Sequence, residues 1–396
     1  MSHLDPDRMQ FDTRLIHAAA PDPRIAGSVV TPIFQSAMGV QPPEGPASPQ
    51  EALASLQYIR LHNTPNHLEI QGRLASLEGA EAALVCASGM AAISASLLSV
   101  VVPGDHLLVC DQLYGGSHAL IHGELNRLGV SSTTVDGSDP GSWRAALRPE
   151  TKAFYLETMT NPLLRLPDLP AAAAFSKEHG LVSLTDNTLA SPVLCRPIEV
   201  GIDISLHSAT KYLNGHSDIL AGAVLGSEKW VGEIASRLTL LGGCLDPNAC
   251  FLLTRGLKTL GVRMERQCTN AQALAEFLAG HPAVEHVNYP GLPGHPGSVE
   301  AREWLSGWGG LLSFELAGGE SAARKLVQAV LIPAYAPSLG GTETLITMPV
   351  DSSHAILSPE ERLAAGVGPG LVRVALGIEG QADLIEDFRQ ALEFCA

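Results

Sequence analysis

The sequence predicts an α/β protein with a mainly parallel sheet and a smaller α+β domain at its carboxyl end. Between residues 58 and 255, short apolar runs of strand length alternate with helical patterns, as parallel strands covered on both faces require. Beyond residue 255 a long amphipathic stretch leads into strands and helices that lack this alternation. A chain of 396 residues has room for both parts.

Residues 1–57 read as an amino-terminal arm, in which Val29–Phe34 is extended and the proline-rich Gln41–Pro49 is loop. In the large domain, residues 58–255, strands are expected at Ala82–Cys86, His106–Cys110, Ala153–Glu157, Leu181–Thr185 and Ile202–Leu206. Helices are expected at Met90–Val101 and His118–Leu128, and one long helix over Ala249–Ala279. The small domain, residues 256–396, adds strands Ala283–Tyr289, Leu311–Leu316 and Leu371–Leu376, with helices Ala322–Val330 and Ala382–Phe394.

Composition narrows the function. A net charge of -16 argues against a nucleic acid or an anionic membrane as partner. The seven cysteines are scattered, and no CxxC or Cys/His pair has metal-ligand spacing, so a reduced, metal-free interior is expected. Met1–Asp7 lacks the basic and apolar regions of a signal peptide, and no apolar run reaches spanning length. A cytoplasmic protein is the expectation.

Ligands of open parallel sheets gather at the carboxyl ends of the strands, so the residues after each strand belong together. After Ile202–Leu206 come Ser208, Thr210 and Lys211. Hydroxyls beside a lysine suit an anion next to a carbonyl, which describes pyridoxal phosphate held as a lysine Schiff base. A surface lysine in a polar turn would carry the same residues. After Ala82–Cys86, Gly89 and Met90 open a helix whose free N–H groups suit a phosphate, although an ordinary strand-to-helix turn looks alike. Tyr114, followed by two glycines, can lay its ring over a flat cofactor and offer its hydroxyl, or can be a core tyrosine.

Asn161 precedes Pro162 and so favours extended backbone. Its amide can bond a phenolic oxygen, or the pair can simply mark a turn. Asp186 ends a buried strand and needs a cation such as a protonated pyridine nitrogen, unless it caps the next helix. Arg373 is a lone charge in an apolar strand and needs a carboxylate, from a side chain or from a substrate. Singly, each residue has a structural explanation. Together they supply the parts of one pyridoxal phosphate site.

From about Thr13 to Ala391 the chain resembles the Cys/Met-metabolism pyridoxal phosphate enzymes, whose fold is the aspartate-aminotransferase-like fold type I. The resemblance rests first on Ser208-Ala-Thr-Lys-Tyr-Leu-Asn-Gly-His216. It is supported by Tyr58-Ile-Arg60, Ala87-Ser-Gly-Met-Ala91, Leu113-Tyr-Gly-Gly116, Thr160-Asn-Pro162, Asp186-Asn-Thr188, Arg255-Gly-Leu-Lys-Thr-Leu260, Ser338-Leu-Gly-Gly341 and Arg373. It implies that Lys211 carries the cofactor and shuttles protons, Asp186 pairs with the ring nitrogen and Tyr114 stacks on the ring. Gly89, Met90, Ser208 and Thr210 would hold the phosphate, and Asn161 the phenolic oxygen. Tyr58 and Arg60 would reach the phosphate of a neighbouring subunit, implying a homotetramer built as a dimer of dimers. Arg373 and Ser338 would grip the carboxylate of a small amino-acid substrate, with Glu343 near the substrate's far end.

The departures from the family pattern bear on substrate. Methionine γ-lyases resembling this chain carry Cys where Gly116 stands, and a Lys-Asp pair within the region Leu238–Gly243. The β-lyases carry Trp in place of Leu339. Asn63-Thr-Pro-Asn66 and Thr344–Ser353 also depart from the common pattern. The resemblance therefore implies γ-elimination from cystathionine, giving 2-oxobutanoate, ammonia and cysteine, as in cystathionine γ-lyase. The alternative is γ-replacement, joining an activated homoserine to cysteine or another nucleophile. Methionine γ-lyase or cystathionine β-lyase activity fits less well. A cofactor-binding but inactive protein is disfavoured by the intact Lys211, Asp186, Tyr114 and Arg373. A dinucleotide-binding dehydrogenase is disfavoured because no GxGxxG follows the first strand.

Overall fold

Seven strands of the computed structural model form one sheet, in the order β1-β7-β6-β5-β4-β2-β3. The structure describes residues 8–40, 56–352, 355 and 358–394, so the loop expected at Gln41–Pro49 lies outside the described residues. The strands are β1 (Ala82–Cys86), β2 (His106–Cys110), β3 (Ser131–Val135), β4 (Thr151–Glu157), β5 (Val182–Asp186), β6 (Ile204–His207) and β7 (Gly222–Gly226). All run parallel except β7, which is antiparallel to both β1 and β6.

Both faces of this sheet are buried. Val85, Leu108, Phe154 and Leu156 point into one apolar layer, while Leu84, Leu107, Val109 and Tyr155 point into the other. This period of two, with apolar residues at every step, is why the strands read as continuous apolar runs. Helices Gly89–Val100 and Glu228–Leu241 pack on each other and against β1 and β7.

Two strands of the sheet escaped the sequence reading. β3 is Ser-Ser-Thr-Thr-Val on the sheet edge, half-exposed and without an apolar run. β7 is flanked by glycines because backbone crowds it on both sides: a Cβ on Gly222 would lie 2.1 Å from the Ser88 carbonyl oxygen, and one on Gly226 would lie 2.6 Å from that of Asp203. Close approach, which glycine permits, looks like a turn in sequence.

The single helix expected over Ala249–Ala279 is two helices, Pro247–Leu257 and Leu260–Ala279. Asp246 caps the first by accepting the Asn248 N–H at 2.8 Å. The break falls at Thr259, whose hydroxyl accepts from Arg263 Nε at 3.1 Å, while Arg263 Nη2 donates to the Gly256 carbonyl at 2.9 Å. Apolar periodicity runs straight through this break, which is why sequence alone missed it. The helix expected at His118–Leu128 begins earlier, at Gly115, and widens into a π-helical turn over Leu120–Leu125.

The remaining strands form a five-stranded sheet, β10-β11-β12-β9-β8. They are β8 (Val284–Asn288), β9 (Leu311–Leu316), β10 (Ala334–Tyr335), β11 (Leu345–Thr347) and β12 (Leu371–Ala375). β10 and β11 are parallel and the other pairs antiparallel; register sets Arg373 opposite Thr347. β10 and β11 are too short for periodicity to reveal. Among the described residues, no helix is long and apolar enough to cross a membrane.

Candidate active site

The ends of β4, β5 and β6 set three ionisable side chains in a row. Glu157 and Asp186 are register partners on adjacent strands, and His207 follows on the next. Asp186 Oδ1 accepts both the Thr188 N–H at 2.9 Å and the Thr188 hydroxyl at 2.5 Å. The Thr188 hydroxyl oxygen in turn accepts the Ser208 N–H at 2.7 Å, which ties the end of β5 to the turn bearing Lys211. Burial raises the Asp186 pKa, and the bonds from Thr188 and the nearby His207 oppose that rise. Glu157 rises well above the usual carboxyl range, through burial first and the Asp186 charge second. Behind the row, the buried Glu78 accepts from Ser205 and Asn187, and its Oε1 lies 3.4 Å from His207 Nε2.

The turn after β6 carries the amine. Thr210 is stapled to the start of β7: its hydroxyl donates to the Ala221 carbonyl at 3.2 Å and accepts the Ala221 N–H at 3.0 Å. Lys211 Nζ donates to Ser338 Oγ at 2.6 Å. Burial, and then the Arg373 charge, lower the Lys211 pKa, so the neutral amine is more accessible than in a free lysine. Ser338 itself has φ +108°, and a Cβ on Gly340 would lie 2.6 Å from the Tyr212 nitrogen. The loop before β11 is thus pressed directly onto the Lys211 turn.

Across the cavity, helix Gly89–Val100 starts with Ser88, whose hydroxyl accepts the Ala91 N–H at 3.1 Å. The amides of Gly89 and Met90 have no intrahelical acceptor and face the same cavity as Ser208 and Thr210. A Cβ on Gly89 would sit 2.8 Å from that of Ser208, so glycine lets helix and turn close together. Two amides at a positive helix end, with two hydroxyls beside them, make a pocket for an anion.

Tyr114 is 47% exposed at the rim, and its N–H donates to Glu157 Oε1 at 2.5 Å. Its ring lies against Gly116, where a Cβ would come within 2.6 Å of Tyr114 Cε1 and 2.8 Å of Met90 Sδ. Asn161 Oδ1 accepts from Arg373 Nη1 at 3.4 Å, and Arg373 Nη2 donates to the Ser338 carbonyl at 2.7 Å. Arg373 is buried, its pKa lowered by that burial to about 10, and its Nε has no hydrogen-bond partner. Among the described residues it forms no ion pair with a carboxylate. A buried guanidinium in that state is built to receive one.

Gly89, Met90, Tyr114, Asn161, Asp186, Ser208, Thr210, Lys211, Ser338 and Arg373 all line one cavity of about 640 Å³. Tyr58, Arg60 and Glu343 do not line it within a single chain. Arg60 lies over the Tyr58 ring at 5.3 Å and donates to the Thr239 carbonyl at 3.3 Å, while the exposed Glu343 accepts from Thr342 Oγ1 at 3.0 Å. A larger cleft, about 1050 Å³, opens around β8 and Pro293–Gly297, but neither Lys211 nor Asp186 borders it.

Sequence reasoning left out Glu157 and Tyr335, and named Thr188 only within Asp186-Asn-Thr188 and Thr347, Asp351 and Ser352 only within the stretch Thr344–Ser353 that bears on substrate; all six line the smaller cavity. The rule that selected Asp186, a carboxylate ending a buried strand, selects Glu157 as well. Tyr335 gave no such signal, because only the folding of the second sheet brings it there.

The cavity suits pyridoxal phosphate: an amine for its carbonyl, an anion pocket for its phosphate, and a buried carboxylate for its ring nitrogen. Comparison with known proteins agrees. The family model for Cys/Met metabolism PLP-dependent enzymes matches residues 12–393. The chain is 41% identical to an L-methionine γ-lyase of Porphyromonas gingivalis, covering 99% of each. It is 40% identical to a cystathionine γ-lyase of Bacillus subtilis, covering 97% of this chain and all of that one. The crystal structure of cystathionine γ-lyase from Lactobacillus plantarum complexed with L-serine superposes with a TM-score of 0.91 at 35% identity, covering 98% of this chain and 99% of that one. The chain therefore belongs to the Cys/Met metabolism PLP-dependent enzyme family, has fold type I with a smaller carboxyl-terminal domain, and uses pyridoxal phosphate as its cofactor.

Proposed function

We propose that the enzyme breaks the Cγ–S bond of L-cystathionine, with water entering and cysteine, 2-oxobutanoate and ammonia leaving. The observation that carries this reading is a buried Arg373 without a carboxylate partner, set across Ser338 from the Lys211 amine. An amino acid whose carboxylate meets Arg373 presents its Cα to Lys211. Pyridoxal phosphate, when bound, supplies the conjugated carbonyl that accepts electrons from Cα.

The residues then divide the work. Asp186 would hold the proton on the cofactor's ring nitrogen, and Thr188 fixes that carboxylate by two bonds to one oxygen. Gly89, Met90, Ser208 and Thr210 would hold the cofactor's phosphate, and Asn161 its phenolic oxygen. Lys211 Nζ takes the proton from Cα. Departure of a γ-substituent also requires a proton to leave Cβ, and one mobile amine with a lowered pKa serves both positions. The Tyr114 hydroxyl, at the rim, takes the proton from the incoming substrate amine or gives one to the departing sulfur.

Near-equal identity to methionine and cystathionine lyases does not choose a substrate. Gly116 supports cystathionine. Tyr114 and Met90 close over the space a side chain at residue 116 would fill, where the family resemblance implies a cysteine in methionine γ-lyases. We further propose a tetramer of two dimers in which Tyr58 and Arg60 complete the neighbouring site. Their position outside their own cavity supports this, as do the exposed Val29, Val40 and Leu240.

Incubation of the reconstituted enzyme with L-cystathionine is the test, with 2-oxobutanoate and cysteine expected. Pyruvate as the keto acid would mean β-cleavage and overturn the proposal. Thioether formed from O-acylhomoserine and cysteine, with no keto acid from cystathionine, would make replacement the activity.

A further inference from the structure

The cavity is lined by a charge, Asp351, that the reaction does not use. Asp351 ends a short 3-10 turn, Pro349–Asp351, four residues beyond Thr347. Thr347 is the register partner of Arg373, and Tyr335 pairs with Ile346 next to it. The second sheet therefore brings the carboxylate-binding arginine, Tyr335 and Asp351 to one wall. Tyr335, Thr347, Asp351 and Ser352 all border the cavity together with Lys211 and Arg373.

Asp351 is rigidly held. Arg324 grips it as a fork, Nη1 to Oδ2 and Nη2 to Oδ1 at 3.0 Å each, and the Tyr335 hydroxyl donates to Oδ2 at 2.7 Å. Arg324 is oriented in turn by Glu320, its Nε donating to Oε1 at 2.9 Å. These bonds keep Asp351 ionised, its pKa lowered chiefly by Arg324. They use both sites of Oδ2 but only one of Oδ1. A carboxylate offers about four acceptor sites in all, so one remains open on Oδ1 of this cavity-lining residue.

We propose that Asp351 determines specificity by accepting a hydrogen bond from an ammonium group at the far end of the substrate side chain. The inference rests on the reading above, in which Arg373 takes the near carboxylate. It assigns the enzyme to amino acids whose γ-substituent ends in a cationic amine, of which cystathionine is one. A methyl thioether would cover the free Oδ1 site without satisfying it, and a site built for a hydrogen bond rejects an analogue lacking the donor.

The test compares L-cystathionine with L-methionine in wild type, Asp351→Asn and Arg324→Gln. Total 2-oxo acid is measured, so that pyruvate and 2-oxobutanoate count alike. Dissociation constants are read in parallel from the shift each amino acid causes in the cofactor's visible absorption. In Asp351→Asn the preference for cystathionine should fall about tenfold or more through KM and the dissociation constant, with methionine unchanged within about twofold. Arg324→Gln leaves the Asp351 carboxylate in place but frees it from its fork, so the preference should fall by clearly less than in Asp351→Asn. An unchanged preference in Asp351→Asn, an equal fall for both amino acids, or an equal loss in Arg324→Gln would overturn the proposal. Product identity separately reports on γ-cleavage: pyruvate would sink that reading while leaving the ratio for Asp351 intact.

Discussion

Lys211 Nζ and Ser338 Oγ lie 2.6 Å apart, joining the turn after β6 of the large sheet to the loop before β11 of the small one. The reactive amine is therefore held from both sheets. The close approach of Gly340 to the Tyr212 backbone shows that this contact is packed rather than incidental.

Removing the two partners should separate holding from chemistry. Lys211→Ala should abolish both the cofactor's visible band and turnover. Ser338→Ala should keep the band but lower kcat roughly tenfold, because the amine loses the acceptor that aims it. Absorption spectra with steady-state kinetics check both. A Ser338→Ala enzyme with unchanged kcat would mean that the hydroxyl does not orient Lys211.

Arg373 makes a prediction that splits stability from activity. Replacing a buried charge that lacks a carboxylate partner removes a desolvation penalty and no salt bridge. Arg373→Met loses the bonds to the Ser338 carbonyl and Asn161 as well, so it should fold with little net change in stability, while kcat/KM falls roughly a hundredfold or more through loss of charge-assisted bonds to substrate. Thermal melting and kinetics measure the two sides. A large drop in melting temperature with activity retained would make Arg373 structural.

Much of this site was legible because the family of parallel sheets places ligands where strands end, and Gly89, Tyr114, Asp186 and Lys211 all follow apolar runs. The sequence reading failed where backbone contact, rather than side-chain pattern, decides. Gly222 and Gly226 belong to a strand because other backbone passes within van der Waals reach. The break at Thr259 arises from Arg263 reaching back to Gly256, which leaves the apolar period intact. Asp351 lay within Thr344–Ser353, marked in sequence only by its departure from the family pattern, and the pairing of β11 with β12 is what makes it a rim residue.

Glu157 tests how the paired carboxylates are charged. Its pKa is raised well above the usual carboxyl range, so the folded chain binds a proton there more tightly than the unfolded chain. Stability from this group is full below the unfolded carboxyl pKa and is lost as pH rises toward the folded one. Glu157→Gln mimics the protonated form and keeps an acceptor for the Tyr114 N–H. It should be more stable than wild type at pH 8, with little loss of activity, whereas Glu157→Leu should lose activity by releasing Tyr114. Melting curves across pH 5 to 9 decide; a Glu157→Gln variant less stable at pH 8 would show that the ionised carboxylate is the required form.

His62 predicts behaviour in acid. It is buried, with neither ring nitrogen hydrogen-bonded among the described residues, and burial, with the neighbouring His67, lowers its pKa to about 4. A histidine unfolded near pH 6.5 but folded near 4 leaves the unfolded chain holding more protons between those values, so stability falls as pH drops through that window. At pH 5.5 the loss amounts to about 1.4 kcal/mol relative to pH 7.5, by linkage between the two pKa values. Asparagine tolerates the left-handed backbone found here, φ +56°, and does not titrate. His62→Asn should therefore lose less stability than wild type on moving from pH 7.5 to 5.5, as measured by denaturant unfolding. Equal losses in the two proteins would place the acid sensitivity in other groups.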